Sequence, residues 1–227
     1  MLKRDVHTVE RRHDFLLGPT NEQNHLKLDR YQVTEEELRN TRKWLAQRHC
    51  IIDRVTMTGV TLNDKKAKIL AQGISANDTI NELKIVKCKI RFNHMEMLCQ
   101  AIGLNESIEY VTIEKCNLLQ KHGTYLGQAL SQNVSLKHLT LIECGIGEYA
   151  MIEIAKGIRE AICLEYVDLR HNYFELEGFT ALVDALKATM ACKVLQLEGF
   201  AIGMPEAELL GSFFEHPDCL LHEFDLH

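Results

Sequence analysis

Apolar and polar positions along this chain repeat with one long period. Ile80, Leu83, Ile85, Cys88 and Ile90 spell the pattern L-x-x-L-x-L-x-x-C-x-L. The same spelling returns 28 residues later at Ile108, Val111, Ile113, Cys116 and Leu118, and then at Leu136, Leu139, Leu141, Cys144 and Ile146. It continues at Leu164, Val167, Leu169, Asn172 and Phe174. An earlier copy holds Ile52, Val55, Met57, Val60 and Leu62, and a later one Cys192, Leu195, Leu197, Phe200 and Ile202. Leu221, Phe224 and Leu226 begin another copy one residue out of phase, and Leu26, Leu28, Tyr31 and Val33 suggest a weaker first one. The alternation inside each copy predicts a short strand. The second half of each unit changes period. Leu70, Leu98, Leu126, Ile154, Leu182 and Leu210 share one phase, and small residues follow three positions later at Gly73, Ala101, Ala129, Gly157 and Ala185. Spacings of three and four place these on one helix face. The small residue is expected to let the helix approach the sheet closely.

One strand and one helix cannot bury their own apolar faces, but stacked copies can. The pattern therefore predicts an α/β solenoid. It resembles the leucine-rich repeat family, and 28-residue units with a Cys/Asn position resemble its ribonuclease-inhibitor-type subfamily, over about residues 23–227. The resemblance implies a horseshoe arc with a concave parallel β-sheet and convex helices. It also implies that the Cys/Asn position is buried and bonds neighbouring loop backbone, and that the ligands are proteins. The only tryptophan, Trp44, lies outside the repeat strands, so the tryptophan-rich surface of the ribonuclease inhibitors is not implied.

The ends differ from the middle. Leu2, Val6, Val9, His13 and Leu16 share a helical face that Gly18-Pro19 would stop. Thr34 and Glu37 form a capping box that opens a helix through Leu38, Trp44 and Leu45. Residues 1–49 are thus expected to be an N-terminal helical cap with a degenerate first repeat. Residues 50–227 are expected to hold about six full repeats and a final strand. That strand pattern, around Leu221, Phe224 and Leu226, has no helical pattern after it, so an open C-terminal end is expected.

Composition narrows the chemistry. The 227 residues carry 26 basic and 32 acidic side chains, a net charge of −6 that argues against general nucleic-acid or anionic-membrane binding. No apolar run reaches the roughly 18 residues that span a bilayer. The first residues lack the apolar stretch of a secretory signal, which favours a reducing, cytoplasmic setting. In that setting the eight cysteines read as thiols, Cys88, Cys116 and Cys144 stacking in a ladder. Three N-x-S/T matches, at Asn77, Asn105 and Asn133, are also 28 apart and read as helix-ending turns rather than glycosylation sites. Gly145 and Gly147 fit a dinucleotide fingerprint, with Asp168 placed as its ribose-binding acid. Both glycines, however, fall in one repeat's loop and Asp168 on the next repeat's strand. His171-Asn172 and His222-Glu223 read as surface neighbours, and a pairing of Cys144 with His171 is disfavoured by the buried ladder position. No catalytic residues, cofactor, metal ligands or small-molecule substrate are expected.

Strand positions that point away from the helices are the candidate binding residues. Tyr110, His138 and Tyr166 fall in one column and are expected to form an exposed aromatic ridge. Arg54 precedes them in that column, Lys84 and Asp168 lie in the next, and Glu114, Ile142 and Arg170 in a third. Tyrosine and arginine are residue types that anchor interfaces, although exposed strands also favour tyrosine for its β propensity. The expected function is a non-enzymatic protein–protein interaction scaffold, a subunit of a cytoskeletal, ciliary or organellar assembly. It would bind through the concave face, through the C-terminal end at Leu221, Phe224 and Leu226, or both. The alternatives are a regulator of a GTPase or ubiquitin pathway and a fragment of an intracellular receptor.

Overall fold

The computed structural model describes residues 24–29, 34–47 and 49–226. The helical pattern expected over residues 2–16, and Tyr31 and Val33, lie outside them. Strands and helices alternate in the order the period predicts. The strands are β1 (His25–Leu28), β2 (Arg54–Thr58), β3 (Glu82–Val86), β4 (Tyr110–Glu114), β5 (His138–Ile142), β6 (Tyr166–Asp168), β7 (Val194–Gln196) and β8 (Glu223–Asp225). Between them run α1 (Glu35–Leu45), α2 (Asp64–Ser75), α3 (Phe92–Leu104), α4 (Gln120–Gln132), α5 (Glu148–Glu160), α6 (Leu176–Thr189) and α7 (Met204–Phe214). All eight strands pair in parallel and in sequence order, β1 to β8. This is a leucine-rich-repeat-type α/β solenoid. Register from β2 to β7 steps by 28 residues, as in Glu82↔Tyr110 and Tyr110↔His138. The end strands step by 29, His25↔Arg54 and Val194↔Glu223, the slip seen in the sequence at Leu221.

The core is one continuous strip between sheet and helices. Val55, Leu83, Val111, Leu139, Val167 and Leu195 are all 1% exposed or less and face the helices, while their strand neighbours face away. Trp44 is half-buried against the same strip. The capping box at α1 forms as expected. Thr34 N–H donates to Glu37 Oε2 at 2.8 Å, and Glu37 N–H donates to Thr34 Oγ1 at 3.2 Å.

Two internal ladders bind unit to unit, and they absorb the motifs that invited functional readings. The Asn133 amide donates to the Ile102 and Asn105 carbonyls at 2.7 and 2.8 Å. Its oxygen accepts from the Ser135 and Leu136 amides at 2.9 and 2.7 Å. Asn105 repeats the arrangement one unit earlier, on the Ile74 and Asn77 carbonyls. Thr79, Ser107 and Ser135 donate their hydroxyls to Ile52, Ile80 and Ile108 carbonyls. Both polar residues of N-x-S/T therefore serve the fold, with Asn77, Asn105 and Asn133 buried. The second ladder is the Cys/Asn column. The Cys88 amide meets Cys116 Sγ at 3.3 Å, and the Cys144 amide donates to Asn172 Oδ1 at 3.1 Å. Burial pushes the Cys116 thiol up to about 11 and the Cys144 thiol up to about 12, so both stay protonated at neutral pH.

The small-residue column has a different purpose from the one expected. It brings helix to helix rather than helix to sheet. A Cβ on Gly157 would lie 2.2 Å from the Gly127 carbonyl oxygen, and one on Gly127 would lie 2.2 Å from that of Glu153. A Cβ on Gly73 would meet Leu45 of the preceding helix at 3.1 Å. Side chains at these points would wedge neighbouring helices apart.

A further column was not read from the sequence. Gly59, Lys87, Lys115 and Glu143, each directly after its strand, and His171 and Gly199, three residues after theirs, take a left-handed backbone, with φ of 62°, 52°, 54°, 50°, 58° and 86°. Such a conformation is strained for a side-chain-bearing residue by about 1–2 kcal/mol. Each turn extends the sheet's hydrogen bonding, as when Lys87 N–H donates to the Glu114 carbonyl and Lys115 N–H to that of Ile142, at 2.8 and 2.9 Å. The side chains of Lys87, Lys115, Glu143 and His171 stand exposed along the loop edge.

Candidate interaction surface on the sheet

The sheet face opposite the helices presents the columns named from the sequence. Parallel strands in register place identical repeat positions side by side, about 4.8 Å apart. Tyr110 and His138 stack with ring centroids 4.4 Å apart and planes 18° apart. His138 and Tyr166 follow at 5.2 Å. The three rings form a continuous ridge across β4, β5 and β6, with Tyr110 exposed and the others half-buried. Burial between the tyrosines lowers the His138 pKa, so its ring is neutral at pH 7. Burial, and then the charge of Asp168, raises that of the Tyr166 hydroxyl.

Charges flank the ridge on both sides, and they are paired across strands. On one side Lys137 Nζ lies 2.9 Å from Glu109, and Lys193 Nζ lies 2.8 Å from Glu165. These partners hold the Glu109 and Glu165 carboxyls below their usual range. On the other side Lys84 Nζ lies 2.5 Å from Glu114. Arg170 grips Asp168 with two bonds, Nε to Oδ1 at 2.9 Å and Nη2 to Oδ2 at 2.8 Å, and reaches Glu198 at 3.6 Å. The ridge is therefore an apolar, aromatic strip between two neutralised rails.

The candidate residues do not all meet there. Asp168 is only 1% exposed, so the reading of it as a contact residue is corrected. Its carboxylate is consumed in orienting Arg170, which stands half-exposed. Glu114 and Ile142 are paired neighbours beside the ridge. Lys84 lies one strand before it. Arg54 lies two strands before Tyr110, at 3.5 Å from Asp53. Leu221, Phe224 and Leu226 lie at the other extreme, half-buried and packed on the core. Phe224 meets Phe214 of α7 edge-on at 5.2 Å, so helix α7 partly covers this end. Sequence reading missed the rail Glu109, Lys137, Glu165, Lys193. Its signal was present as a column alternating in sign every 28 residues.

The dinucleotide reading fails on geometry. A sheet in sequential order has no switch point to form a cofactor crevice. Tyr173 packs over the two glycines, its ring and hydroxyl 3.4–3.9 Å from where Cβ atoms on Gly145 and Gly147 would stand (3.4 and 3.9 Å at nearest). Asp168, the supposed ribose ligand, is committed to Arg170. Among the described residues, no helix is long and apolar enough to cross a membrane.

No family model and no curated protein matches the chain. Solved structures do. One, described as leiomodin-1 actin-binding site 2, is 18% identical with a TM-score of 0.44, over 74% of this chain and 82% of that one. Another, the tropomodulin C-terminal domain of Caenorhabditis elegans, is 13% identical with a TM-score of 0.45, over 82% of this chain and 93% of that one. These likenesses concern the fold alone.

Proposed function

We propose that this solenoid is a non-enzymatic protein-binding scaffold that receives a partner on the Tyr110–His138–Tyr166 ridge. One observation carries the reading: three rings in mutual contact, at 4.4 and 5.2 Å, on three adjacent strands. Aromatic groups already held by a rigid sheet lose little freedom on binding. The paired rails fit the polar rim that surrounds an aromatic interface centre. Within this reading Arg170 and Ile142 supply the nearest flanking contacts, and Arg54 and Lys84 an outlying end of the same surface. The division of labour we propose is an N-terminal cap over residues 1–49 and a repeat array over 50–227. We further place the chain as a subunit of a multiprotein assembly. Eight unpaired thiols support a reducing compartment for it.

The test is the double variant Tyr110→Ala, Tyr166→Ala, purified from its native cells beside the wild type and compared by mass spectrometry. The expected result is loss of the main co-purifying proteins while the melting temperature stays near wild type. An unchanged partner set in a folded variant removes the ridge as the site.

A further inference from the structure

A second surface lies on the loop edge, where the strands turn toward the helices. A cleft of about 1010 Å³ opens between three consecutive loops. Lys87, Lys89, Arg91 and Lys115 line it, and no carboxylate does. That is unexpected in a chain of net charge −6. Lys115 is tied to Glu143 at 3.1 Å. Lys87, Lys89 and Arg91 are exposed and make no ion pair among the described residues. The Asp64 carboxylate, which feels the charge of Arg91, is hydrogen-bonded by His94 Nε2 and by Asn93 Nδ2, at 2.8 and 2.9 Å. The floor is apolar. Phe92 rests against His122, ring centroids 4.7 Å apart, and Leu119 stands exposed beside them. Burial lowers the His122 pKa, and its ring is fixed between the Leu119 amide and the Ile90 carbonyl, so it adds no charge at pH 7.

We propose that this cleft binds an acidic, extended polypeptide segment with one apolar side chain, as a site separate from the aromatic ridge. The spacing of the cations selects this ligand. They occupy alternate positions 87, 89 and 91: Lys87 sits on the left-handed turn, and beyond it the loop is extended enough at Lys89 to bridge Thr61 as a strand does. Alternate residues of an extended chain are roughly 6–7 Å apart. A partner lying alongside meets them with acidic residues at every second position, and Phe92 and Leu119 take an apolar residue between. A free phosphate fills only a small part of 1010 Å³. A nucleic-acid strand needs a longer basic track and several stacking rings, whereas Phe92 is the one exposed ring lining this cleft.

The probe is a short fluorescein-labelled peptide of alternating glutamate and alanine around one phenylalanine, followed by fluorescence anisotropy. Binding is expected, weakening as salt rises past a Debye length of about 8 Å. The Lys89→Gln, Arg91→Gln double variant should bind about ten-fold more weakly or worse. Leu119→Lys, which spoils the floor and leaves the cations, should weaken binding as well. The Tyr110→Ala, Tyr166→Ala variant should bind as wild type does. Four results each overturn the proposal: no binding by the wild type, equal binding by both cleft variants, weakening by the ridge variant, or displacement of the probe by inorganic phosphate or a single-stranded oligonucleotide more readily than by unlabelled peptide.

Discussion

The sheet face and the loop edge are built from the same 28-residue repeat, yet they handle charge in opposite ways. On the sheet face Lys137 stands between Glu109 and Glu165, and Lys193 answers Glu165, so each charge meets its opposite on the next strand. Just past the strand ends the pattern breaks down. Lys87, Lys89 and Arg91 gather beside Lys115, and of these four only Lys115 is paired, with Glu143 at 3.1 Å. Strand residues are locked in register and column, so a column of alternating sign neutralises itself. In the loops the signs do not alternate from unit to unit, and the acid of the Lys87 column comes only at Glu143. Uncompensated charge on a folded surface is a liability for stability and a resource for binding. The ridge is the reverse case, stable and apolar between rails already satisfied.

The largest expected effect comes from breaking the frame that holds both surfaces. Asn133→Ala removes five hydrogen bonds, among them those to the Ile102 and Asn105 carbonyls. A loss of about 3 kcal/mol is expected in denaturant unfolding, with both surfaces weakened together. Asp168→Ala comes next. It frees Arg170 from three bonds, two from the guanidinium and one from its backbone amide, and is expected to cost about 2 kcal/mol, while disturbing the ridge and leaving the cleft intact. Peptide and partner binding measured side by side would show whether the two surfaces separate.

A pair of charge reversals then sharpens the contrast directly. Lys137→Glu places three carboxylates in a row on the sheet face and should lower the unfolding midpoint. Lys89→Glu relieves repulsion in the cleft and should leave the midpoint unchanged or raise it. Equal effects of the two reversals would erase the distinction between paired and unpaired regions. The smallest effect is one of pH. His138 and His122 have folded-state pKa values lowered by burial. The unfolded chain therefore binds more protons below its ordinary histidine value of about 6.5. Stability from these groups is complete above that pH and is lost as pH falls through it toward the folded-state values. Unfolding midpoints at pH 7.5 and 5.5 should differ less in His138→Phe than in the wild type.

Much of the fold was legible because the repeat states one rule many times. Strands, helices, the Cys column and the one-residue slip at Leu221 all follow from spacing, whereas Asn77, Asn105 and Asn133 were read as turns and their bonds to the preceding unit were not foreseen. The ridge was legible too, since register alone sets Tyr110 beside His138. The small-residue column was found, but its partner was misjudged. Gly157 faces Gly127, and which surface a helix's narrow side meets depends on how neighbouring helices pack. Asp168 was placed on the right face and given the wrong role. Strand alternation says where a side chain starts, whereas a carboxylate's fate depends on whether an arginine two residues away curls back onto it.

The sequence by itself determined the period, and with it the order of elements, the identity of the core and the columns of the sheet, because each follows from spacing along one chain. The tertiary structure decided what the spacing leaves open. It chose the left-handed turn at Lys87, Lys115, Glu143 and His171, residues whose type does not ask for it. That turn carries side chains out of the ladder to the loop edge. There, cations from separate repeats share one cleft over an apolar floor, a juxtaposition made by three loops folding together.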